Sequence, residues 1–365
     1  MCSYEQSEVI KMNKIKYALP IAVLALTSLT GCSNKPTVYI FTAHEENRIA
    51  LYNQELKEQF PNYNIKVVSK TTGALMSELR ARKTKSQCDI FVGIEITNAE
   101  ILLKENPDLF ADLLDYDTSR FVDEVLEYQN DVTLKDGSTR KGHKKYHIQD
   151  KEAGCIVFSK SKLAELGVEV PTSYQDLLNP KLKESIIMPR PSSSGTGYYF
   201  YNGLASLNGK DAALDYFYSI KDNIKEWSSS GSGPVKGVDR KSIAVGLGMH
   251  FQAVEYANKN SDIGITYFAE GSPYTLYTMG MINGKQNKPA VKEVYDYFFN
   301  YVNYLDNCQI VPETIYKPEF AKAITVENWK SPSDYGVDYT PMQNLLDPAY
   351  KEELLAAWET KLPQQ

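Results

Sequence analysis

Two short loops rich in serine, glycine and threonine carry the residues of this sequence best suited to binding chemistry. The first is Ser193-Ser194-Gly195-Thr196-Gly197 and the second is Ser230-Gly231-Ser232-Gly233. Where such a loop opens a helix, backbone N–H groups without an intrahelical partner point one way, beside the positive end of the helix dipole. Hydroxyls add donors, so each loop predicts an anion site. The alternatives are an N-capping linker for the first loop and a flexible linker for the second.

Other chemistries find less support. Residues 203–210 imitate a phosphate-binding P-loop, but one residue too many separates the glycines, and Asp211 stands where Ser or Thr should follow. His-Glu-x-x-His, Cys-x-x-Cys and Gly-x-Ser-x-Gly do not occur. The four histidines are His44, His143, His147 and His250, too few for a histidine-rich metal cage. The sequence therefore disfavours an ATPase, and we expect no cofactor.

The elements that must position these loops begin with strand and helix patterns that alternate. Strands are predicted at Val38-Tyr39-Ile40-Phe41, Ile65-Lys66-Val67-Val68 and Cys88-Asp89-Ile90-Phe91-Val92, with helices at 45–60, 74–82 and from about 98. This alternation is typical of parallel strands in an α/β sheet, where ligands lie beyond the carboxyl ends of the strands. Those ends carry Thr42-Ala43-His44, residues 69–73 and Gly93-Ile94-Glu95.

The alternation resumes from about Gly154. Strands are predicted at 156–158, 186–188 and 243–247, and helices at 162–166, 211–220, 251–258, 290–305 and 350–360. A third loop, Glu270-Gly271-Ser272-Pro273-Tyr274, ends the middle region. The mature length of roughly 330 residues exceeds what one hydrophobic core usually supports, so we expect two lobes.

The start of the chain indicates export. Lys14 and Lys16 precede an apolar run over 18–29, and Leu29-Thr30-Gly31-Cys32 follows as a lipobox. The run is too short to span a bilayer, which takes roughly 20 residues. We therefore expect residues 1–31 to be a signal peptide that starts at Met12, and Cys32 to be lipidated and to anchor the protein to the outer side of the membrane.

The net charge limits the class of partner, and the cysteine count limits the number of disulfides. The net charge of −6 becomes −7 without the signal peptide, and this acidic balance argues against nucleic acid. The basic run from Arg140 to Lys145 is interpreted as a solvated loop, because glycines mark turns there. Cys88, Cys155 and Cys308 remain after removal of Cys2 and lipidation of Cys32, which allows at most one disulfide and leaves its pairing open.

Taken with the lipobox, five segments resemble family 1 extracellular solute-binding lipoproteins of ABC importers, in the branch that holds binders of ferric iron, hexose phosphates and 2-aminoethylphosphonate. They are residues 38–44, 88–95, 191–198, 230–234 and 245–251. The resemblance implies an α/β, two-lobed periplasmic-binding-protein fold of type II, each lobe a mixed sheet flanked by helices, with strand hinges near Gly154 and Thr278. Lobe 1 would comprise 36–153 with about 278–325, and lobe 2 would comprise 154–277 with about 326–365.

Within this branch, a few residues determine which ligand is bound. Ferric binders use a histidine and a glutamate of the first lobe, where His44 and Glu95 stand, plus two adjacent tyrosines, which are missing around Met249-His250-Phe251. Tyr198-Tyr199 is interpreted as core packing. His44 and Glu95 also fit a role as strand-end residues that cap helices.

Binders of phosphorylated solutes instead show three loops, all present here, the third at Glu270-Gly271-Ser272. The resemblance therefore implies that a phosphate ester or phosphonate is held by two sets of residues. In the loops these are Ser193, Ser194, Gly195, Thr196, Ser230, Gly231, Ser232 and Glu270; in the other lobe they are Thr42, His44, Thr72 and Glu95.

The resemblance implies a transport receptor and not an enzyme. Its partners would be an ABC permease in the cytoplasmic membrane and a small anionic solute, and we expect a monomer. A ferric-iron receptor is the first alternative. A secreted phosphatase, with a loop serine as nucleophile and His250 as the candidate base, and a sensor subunit are further alternatives.

Overall fold

The computed structural model describes residues 35–81, 87–321, 324–331 and 340–363. The predicted signal peptide over 1–31 and the lipidation site Cys32 lie outside the described residues. Within the described ranges, none of the helices combines the length and the apolar character needed to cross a membrane.

Eleven strands are present in the described part of the chain. They are β1 (Thr37–Thr42), β2 (Asn64–Ser69), β3 (Ile90–Glu95), β4 (Val132–Thr133), β5 (Thr139–Arg140), β6 (His147–Ser159), β7 (Ile186–Pro189), β8 (Ile224–Ser228), β9 (Val245–Met249), β10 (Ile263–Thr266) and β11 (Tyr274–Met281).

The α-helices follow the strands in most places. They are α1 (Glu46–Gln59), α2 (Thr72–Arg80), α3 (Ile96–Glu105), α4 (Lys160–Leu166), α5 (Gly195–Asn208), α6 (Lys210–Ser219), α7 (Gly233–Asp239), α8 (His250–Ala257), α9 (Pro289–Tyr297), α10 (Asn303–Gln309), α11 (Met342–Leu345) and α12 (Pro348–Lys361). A π-helical stretch, Phe298–Val302, joins α9 to α10. The predicted α/β alternation is confirmed.

Nine strands form one mixed sheet, in the order β2-β1-β3-β11-β6-β9-β7-β8, with β10 paired to β6. β1 pairs in parallel with β2 and β3, and β7 pairs in parallel with β8 and β9. Antiparallel pairing joins the two parallel groups through β11 and the long strand β6. The parallel groups each direct their carboxyl ends toward one edge, which is where a ligand site is expected.

Two of the hydrophobic clusters in the described part of the chain are large, and they form the cores of two lobes. The first contains Ile40, Phe91 and Tyr295, and the second contains Ile156, Tyr199 and Trp358. β6 passes from the first lobe to the second, because residues 147–153 lie beside β11 and residues from Gly154 onward pair with β9. The chain thus crosses between the lobes at Gly154, one of the two positions where the family resemblance implies a hinge.

The other crossings differ from the predicted boundaries. Phe268 packs in the second core and Tyr274 in the first, so the return crossing lies between them. Thr278, the predicted position, lies inside β11, which pairs with β3 of the first lobe. The last crossing falls in the terminal region predicted to belong wholly to lobe 2. Leu346 packs in the first core and Tyr350 in the second.

Some elements escaped sequence analysis. β4, β5, β8, β10 and β11 were not predicted; β4 and β5 have only two residues each, and β8 mixes charged, aromatic and polar residues without a period-2 pattern. The interpretation of the basic run as a solvated loop is wrong for Arg140. Its side chain is buried and forms an ion pair with Glu100. Burial alone would raise the pKa of Glu100. The hydrogen bonds and charges of His143 and Arg140 outweigh burial and lower this pKa to about 2.

Candidate functional site

Two loops of the second lobe form one wall of a cleft between the lobes. The first follows β7 and ends at Ser194, directly before Gly195 opens α5. The second follows β8 and contains Ser229, Ser230 and Gly231. β7 and β8 are paired in parallel, so the loops after them emerge at the same edge of the sheet. This pairing brings the two loops together on one side of the cleft.

Close approach of these loops depends on glycine. A Cβ atom on Gly231 would overlap the hydroxyl and Cβ of Thr196. A Cβ atom on Gly195 would lie 2.8 Å from the hydroxyl of Tyr277, which comes from the hinge strand β11. The first-turn N–H groups of α5 have no partner inside the helix and face this crowded point together with the serine and threonine hydroxyls. The wall is therefore a set of neutral hydrogen-bond donors suited to an oxyanion.

The opposite wall comes from the first lobe. Ala43, His44 and Glu45 follow β1, Thr71 and Thr72 begin α2, and Glu152 lies on β6. The cavity enclosed with the loops is small, about 90 Å³. The lobes also meet beside it, where Asn47 donates a hydrogen bond of 3.0 Å to Glu255 and His250 lies 2.7 Å from Glu313. The lobes are thus closed on one another.

Both ring nitrogens of His44 are engaged. Arg48 Nη1 lies 2.8 Å from Nδ1, and Gln149 Oε1 lies 2.9 Å from Nε2. Guanidinium groups only donate hydrogen bonds, so Nδ1 of His44 is the acceptor. Nε2 therefore carries the proton and donates a hydrogen bond to Oε1 of Gln149. Burial and the charge of Arg48 lower the pKa of His44 well below its usual value, which keeps the imidazole neutral. Gly93, at φ +78°, leaves room for this ring, because a Cβ atom there would lie 2.6 Å from Nε2.

Arg48 is the centre of a buried charge cluster. It is fully buried and forms ion pairs with Asp150, Glu152 and Asp306. Burial raises the pKa of Asp150 to about 6 and that of Glu152 well above its usual value, with repulsion among the carboxylates adding to both. Burial also raises the pKa of Glu45, which is half-buried. One guanidinium therefore serves several carboxyl groups, and the raised pKa values of Glu45 and Glu152 favour the uncharged acid at both positions.

The structure places two predicted lobe-1 residues away from the cleft. Glu95 is completely buried and caps α3, where it accepts hydrogen bonds from the backbone of Thr97 and Asn98. Oε2, the oxygen that accepts from Asn98, also lies 2.5 Å from the ammonium of Lys351. Thr42 is buried, and its hydroxyl accepts from the backbone N–H of His44. Of the two alternatives for Glu95, the structure supports the helix cap.

Three lobe-2 residues are also displaced from their predicted roles. Ser232 lies next to the loop but does not line the cavity, and its hydroxyl lies 3.0 Å from that of Ser230. Glu270 accepts a hydrogen bond of 3.2 Å from the backbone of Tyr174. His250, the candidate base of the phosphatase alternative, is fully buried between Glu313 and Tyr267. The remaining predicted ligand residues line the cavity: His44, Thr72, Ser193, Ser194, Gly195, Thr196, Ser230 and Gly231.

Several lining residues were missed by sequence analysis: Ala43, Glu45, Thr71, Glu152, Ser229, Met249 and Tyr277. Glu45 stands beside His44 at a strand end, a position that could have drawn attention to it. Glu152 and Tyr277 have no such local signal, since both lie within strands and reach the cleft only because the hinge passes beneath it.

A metal ion fits this site poorly. One ligand-type atom each from His44, Glu45 and Glu152 lie within 4.8 Å of one another. However, a metal would have to displace Arg48 or Gln149 from His44 before the imidazole could bind it. The cluster therefore offers a metal only the two glutamates without rearrangement.

Comparison with known proteins identifies the family. The family described as bacterial extracellular solute-binding protein matches residues 101–303, more than half of the chain. An uncharacterised protein of Haemophilus influenzae is 24% identical over 298 residues, which cover 79% of this chain and 80% of that protein.

Solved structures share the fold. The periplasmic binding protein AfuA from Actinobacillus pleuropneumoniae, with fructose-6-phosphate bound, superimposes with a TM-score of 0.76 at 17% identity, over 91% of this chain and all of that one. A ferric-binding protein from Campylobacter jejuni gives a TM-score of 0.65 at 12% identity, over 89% and 99% of the two chains. The predicted two-lobed periplasmic-binding-protein fold is confirmed.

These matches place the protein among solute-binding proteins of ABC transporters, which work outside the cytoplasm, bind a small solute, deliver it to a permease and catalyse no reaction. The predicted resemblance is therefore confirmed, and the chain belongs to the family of bacterial extracellular solute-binding proteins.

Proposed function

We propose that this protein captures a phosphorylated small solute, a phosphate ester or a phosphonate, and delivers it to its ABC permease. The observation that carries the proposal is the meeting of two serine- and glycine-rich loops, with Gly231 against Thr196 at the start of α5. Hydroxyls and first-turn N–H groups there converge on one cavity, which is how proteins hold oxyanions. A structural neighbour of this chain holds fructose-6-phosphate, which is consistent with the proposal.

A ferric-iron receptor is the second candidate, since a ferric-binding protein also shares the fold. The two first-lobe residues that this function needs are occupied by protein partners. His44 is held by Arg48 and Gln149, and Glu95 is held by the α3 backbone and Lys351. Met249, His250 and Phe251 supply none of the tyrosinate oxygens that suit a hard ion. These contacts favour the phosphorylated solute.

A thermal-shift panel tests the proposal. Phosphate esters, phosphonates, inorganic phosphate and ferric ion are each added to the protein, because a ligand that binds only the folded state stabilises it by about 2.7 kcal/mol at a hundredfold excess over Kd. We expect at least one phosphate ester or phosphonate to raise the melting temperature, and ferric ion to leave it unchanged. A shift with iron and with none of the phosphorylated compounds would reverse the ranking.

Variants connect that shift to the loops. Ser194→Ala and Thr196→Val each remove one hydroxyl from the cavity and should weaken binding by about 0.5–1.5 kcal/mol per hydrogen bond, or more where the partner is charged. Ser219→Ala is the matched control, because Ser219 is exposed on α6 and does not line the cavity. Equal affinity in all three variants would contradict the assignment of the loops.

The lipid anchor at Cys32 completes the proposed function. Its support is the order of basic residues, apolar run and Leu29-Thr30-Gly31-Cys32 at the start of the chain. A lipidated protein fractionates with membranes, while a Cys32→Ala variant should not take up labelled fatty acid. Release of both forms into the soluble fraction would rule the anchor out and leave the binding site unaffected.

A further inference from the structure

The first turn of α8 packs against lobe 1 beside the cleft. Met249, at the end of β9, and Phe251, in α8, share a small hydrophobic cluster with Val311. Met249 and Phe251 belong to lobe 2, because β9 pairs with β7 and with the lobe-2 part of β6. Val311 belongs to lobe 1, because it follows α10 and precedes Ile315 and Tyr316 of the first core. An apolar contact thus joins the two lobes directly.

Burial in this contact is nearly complete. Met249 is 1% exposed, Phe251 is 3% exposed and Val311 is 0% exposed. Ile310 and Trp329 pack against them and are partly buried. If the lobes moved apart, these apolar side chains would be exposed to water. Because burial of apolar surface favours the state that retains it, the contact stabilises the closed arrangement of the lobes.

Polar groups reinforce the same contact. Nδ1 of His250, the first residue of α8, lies 2.7 Å from Oε1 of Glu313, two residues after Val311. Both side chains are buried. At the rim of the cleft, Asn47 on α1 donates a hydrogen bond of 3.0 Å to Glu255 on α8. Each polar pair joins a lobe-1 residue to a residue of α8, so both pairs are lost when the lobes separate.

A second link between the lobes runs through the described segment 324–331. The backbone N–H of Thr325 donates a hydrogen bond of 3.0 Å to the carbonyl oxygen of Cys308 on α10. Three residues later, Asn328 donates a hydrogen bond of 2.8 Å to the side chain of Asn258, which directly follows α8. The segment therefore binds α10 of lobe 1 and the end of α8 of lobe 2 at the same time.

Of the residues that form these links, only Met249 lines the cavity. The protein therefore makes the contact by itself, without a solute between the walls. We propose that the first turn of α8 holds the lobes closed through Met249, His250 and Phe251 before a solute is bound, and that the solute enters during transient opening.

Residues outside the cavity then raise the affinity for the solute. Only the closed form offers both walls, and the apparent dissociation constant rises as the fraction of the binding-competent form falls. Val311 and Glu313 are thus positioning residues, which act on binding through the arrangement of the lobes. This inference goes beyond the proposed function and does not depend on which solute is bound.

The reactivity of a cysteine placed in the cleft tests the inference without any solute. Ser194→Cys puts a thiol in the cavity of about 90 Å³, which a bulky maleimide dye does not enter while the lobes are closed. The labelling rate of the full-length protein then measures how often the lobes open. Ser219→Cys, exposed on α6, gives the rate for an accessible thiol. All proteins are refolded from denaturant beforehand so that no solute is retained.

We expect Ser194→Cys to be labelled at least about tenfold more slowly than Ser219→Cys. Adding Val311→Ala should speed the labelling of Ser194→Cys at least about fivefold, because truncation of a buried side chain weakens the contact between the lobes. Asn47→Ala, which removes the hydrogen bond at the rim, should speed it by a smaller factor.

Val294→Ala is the matched control. Val294 is fully buried like Val311, but it lies within the core of lobe 1. Its truncation should lower the melting temperature and leave the labelling rate of Ser194→Cys unchanged. Cys88, also fully buried in that core, reports on unfolding, because it is labelled only when the core opens. It should stay unlabelled in every variant while the thiol at position 194 reacts.

Three results would overturn the inference. If Ser194→Cys reacts as fast as Ser219→Cys in the otherwise unaltered protein, the lobes are open without solute. If neither Val311→Ala nor Asn47→Ala speeds the labelling, the contact does not hold the lobes closed. If Val294→Ala speeds it as much as Val311→Ala does, a general loss of stability explains the effect. The proposed function would stand in each case, because the thermal-shift panel tests it separately.

Discussion

Arg48 donates a hydrogen bond of 2.8 Å to Nδ1 of His44, from the same nitrogen that lies 2.7 Å from Oε1 of Glu152. This relationship fixes the chemistry of the lobe-1 wall. It keeps His44 neutral and turned toward Gln149, and it ties the hinge strand β6 to helix α1. The residue that the sequence offers as a metal ligand is thereby a fixed part of the wall.

Ferric ion is expected to give no charge-transfer absorption with this protein, because His44 and Glu95 are both engaged and the tyrosine pair is absent from residues 249–251. The measurement is a visible-light titration with ferric citrate, with an authentic ferric-binding protein titrated in parallel. A coloured, stoichiometric complex that His44→Ala abolishes would show that Arg48 releases the imidazole to the metal.

Replacing Arg48 with methionine is expected to lower the free energy of unfolding by about 3–5 kcal/mol, because Asp150, Glu152 and Asp306 lose their shared counter-charge in the protein interior. Chemical denaturation measures the change. Arg80→Met is the matched control, since Arg80 pairs with Glu105 on the surface and such pairs contribute at most about 1 kcal/mol. Similar losses of unfolding free energy in the two variants would show that the buried carboxylates do not depend on the charge of Arg48.

Asp150→Asn is expected to change how stability depends on pH. Burial, with repulsion from Asp306, raises the pKa of Asp150 to about 6, so the folded protein holds this proton more tightly than the unfolded chain does. Its contribution to stability is therefore present at low pH and is lost as the pH rises from about 4 to about 6. The loss amounts to about 3 kcal/mol at roughly 1.4 kcal/mol per pKa unit.

The test for Asp150 compares unfolding free energies of the wild type and the variant across that range. The difference between the two proteins isolates Asp150 from other carboxyls, such as Glu100, whose lowered pKa acts in the opposite direction. Parallel curves for the two proteins would contradict the raised pKa.

Glu95→Gln should lower the stability of the fold and leave ligand affinity unchanged. Lys351 is buried, and removal of its counter-ion leaves an unpaired ammonium, at a cost of about 3–5 kcal/mol. A double variant, Glu95→Gln with Lys351→Met, should recover much of this loss because neither charge remains. At a temperature where all variants are folded, ligand affinity should be unchanged. A large loss of ligand affinity in the double variant would show that Glu95 takes part in binding the solute.

Gly231→Ala should weaken solute binding at least about tenfold, because the new methyl group would displace the Thr196 hydroxyl from the cavity. Gly73→Ala is the control, since a Cβ atom on Gly73 meets nothing within 4 Å at the start of α2. Titration with a phosphorylated solute measures both. Unchanged affinity in Gly231→Ala would show that the two loops do not act together.

Sequence analysis could single out the loops because their chemistry is local. Ser193 to Gly197 and Ser230 to Gly233 offer backbone groups and short hydroxyls of adjacent residues, so composition and position after a strand are enough to predict an anion site. The alternation of strands and helices was equally local, and it established the α/β class. Ser232 and Glu270 show the limit, since membership of a loop does not determine which of its side chains reach the cavity.

The sequence by itself determined that a donor-rich wall exists and that two lobes would enclose it. Only the tertiary structure decided what faces that wall. Glu152 lies 104 residues from the arginine it pairs with, and Lys351 lies 256 residues from Glu95. Such pairings follow from the path of the hinge strands and the return of the terminal helix, and no pattern of neighbouring residues records them. A glutamate, lysine or arginine can line a cleft or form an ion pair in the interior. Which of the two occurs depends on whether the fold buries the side chain against a distant partner.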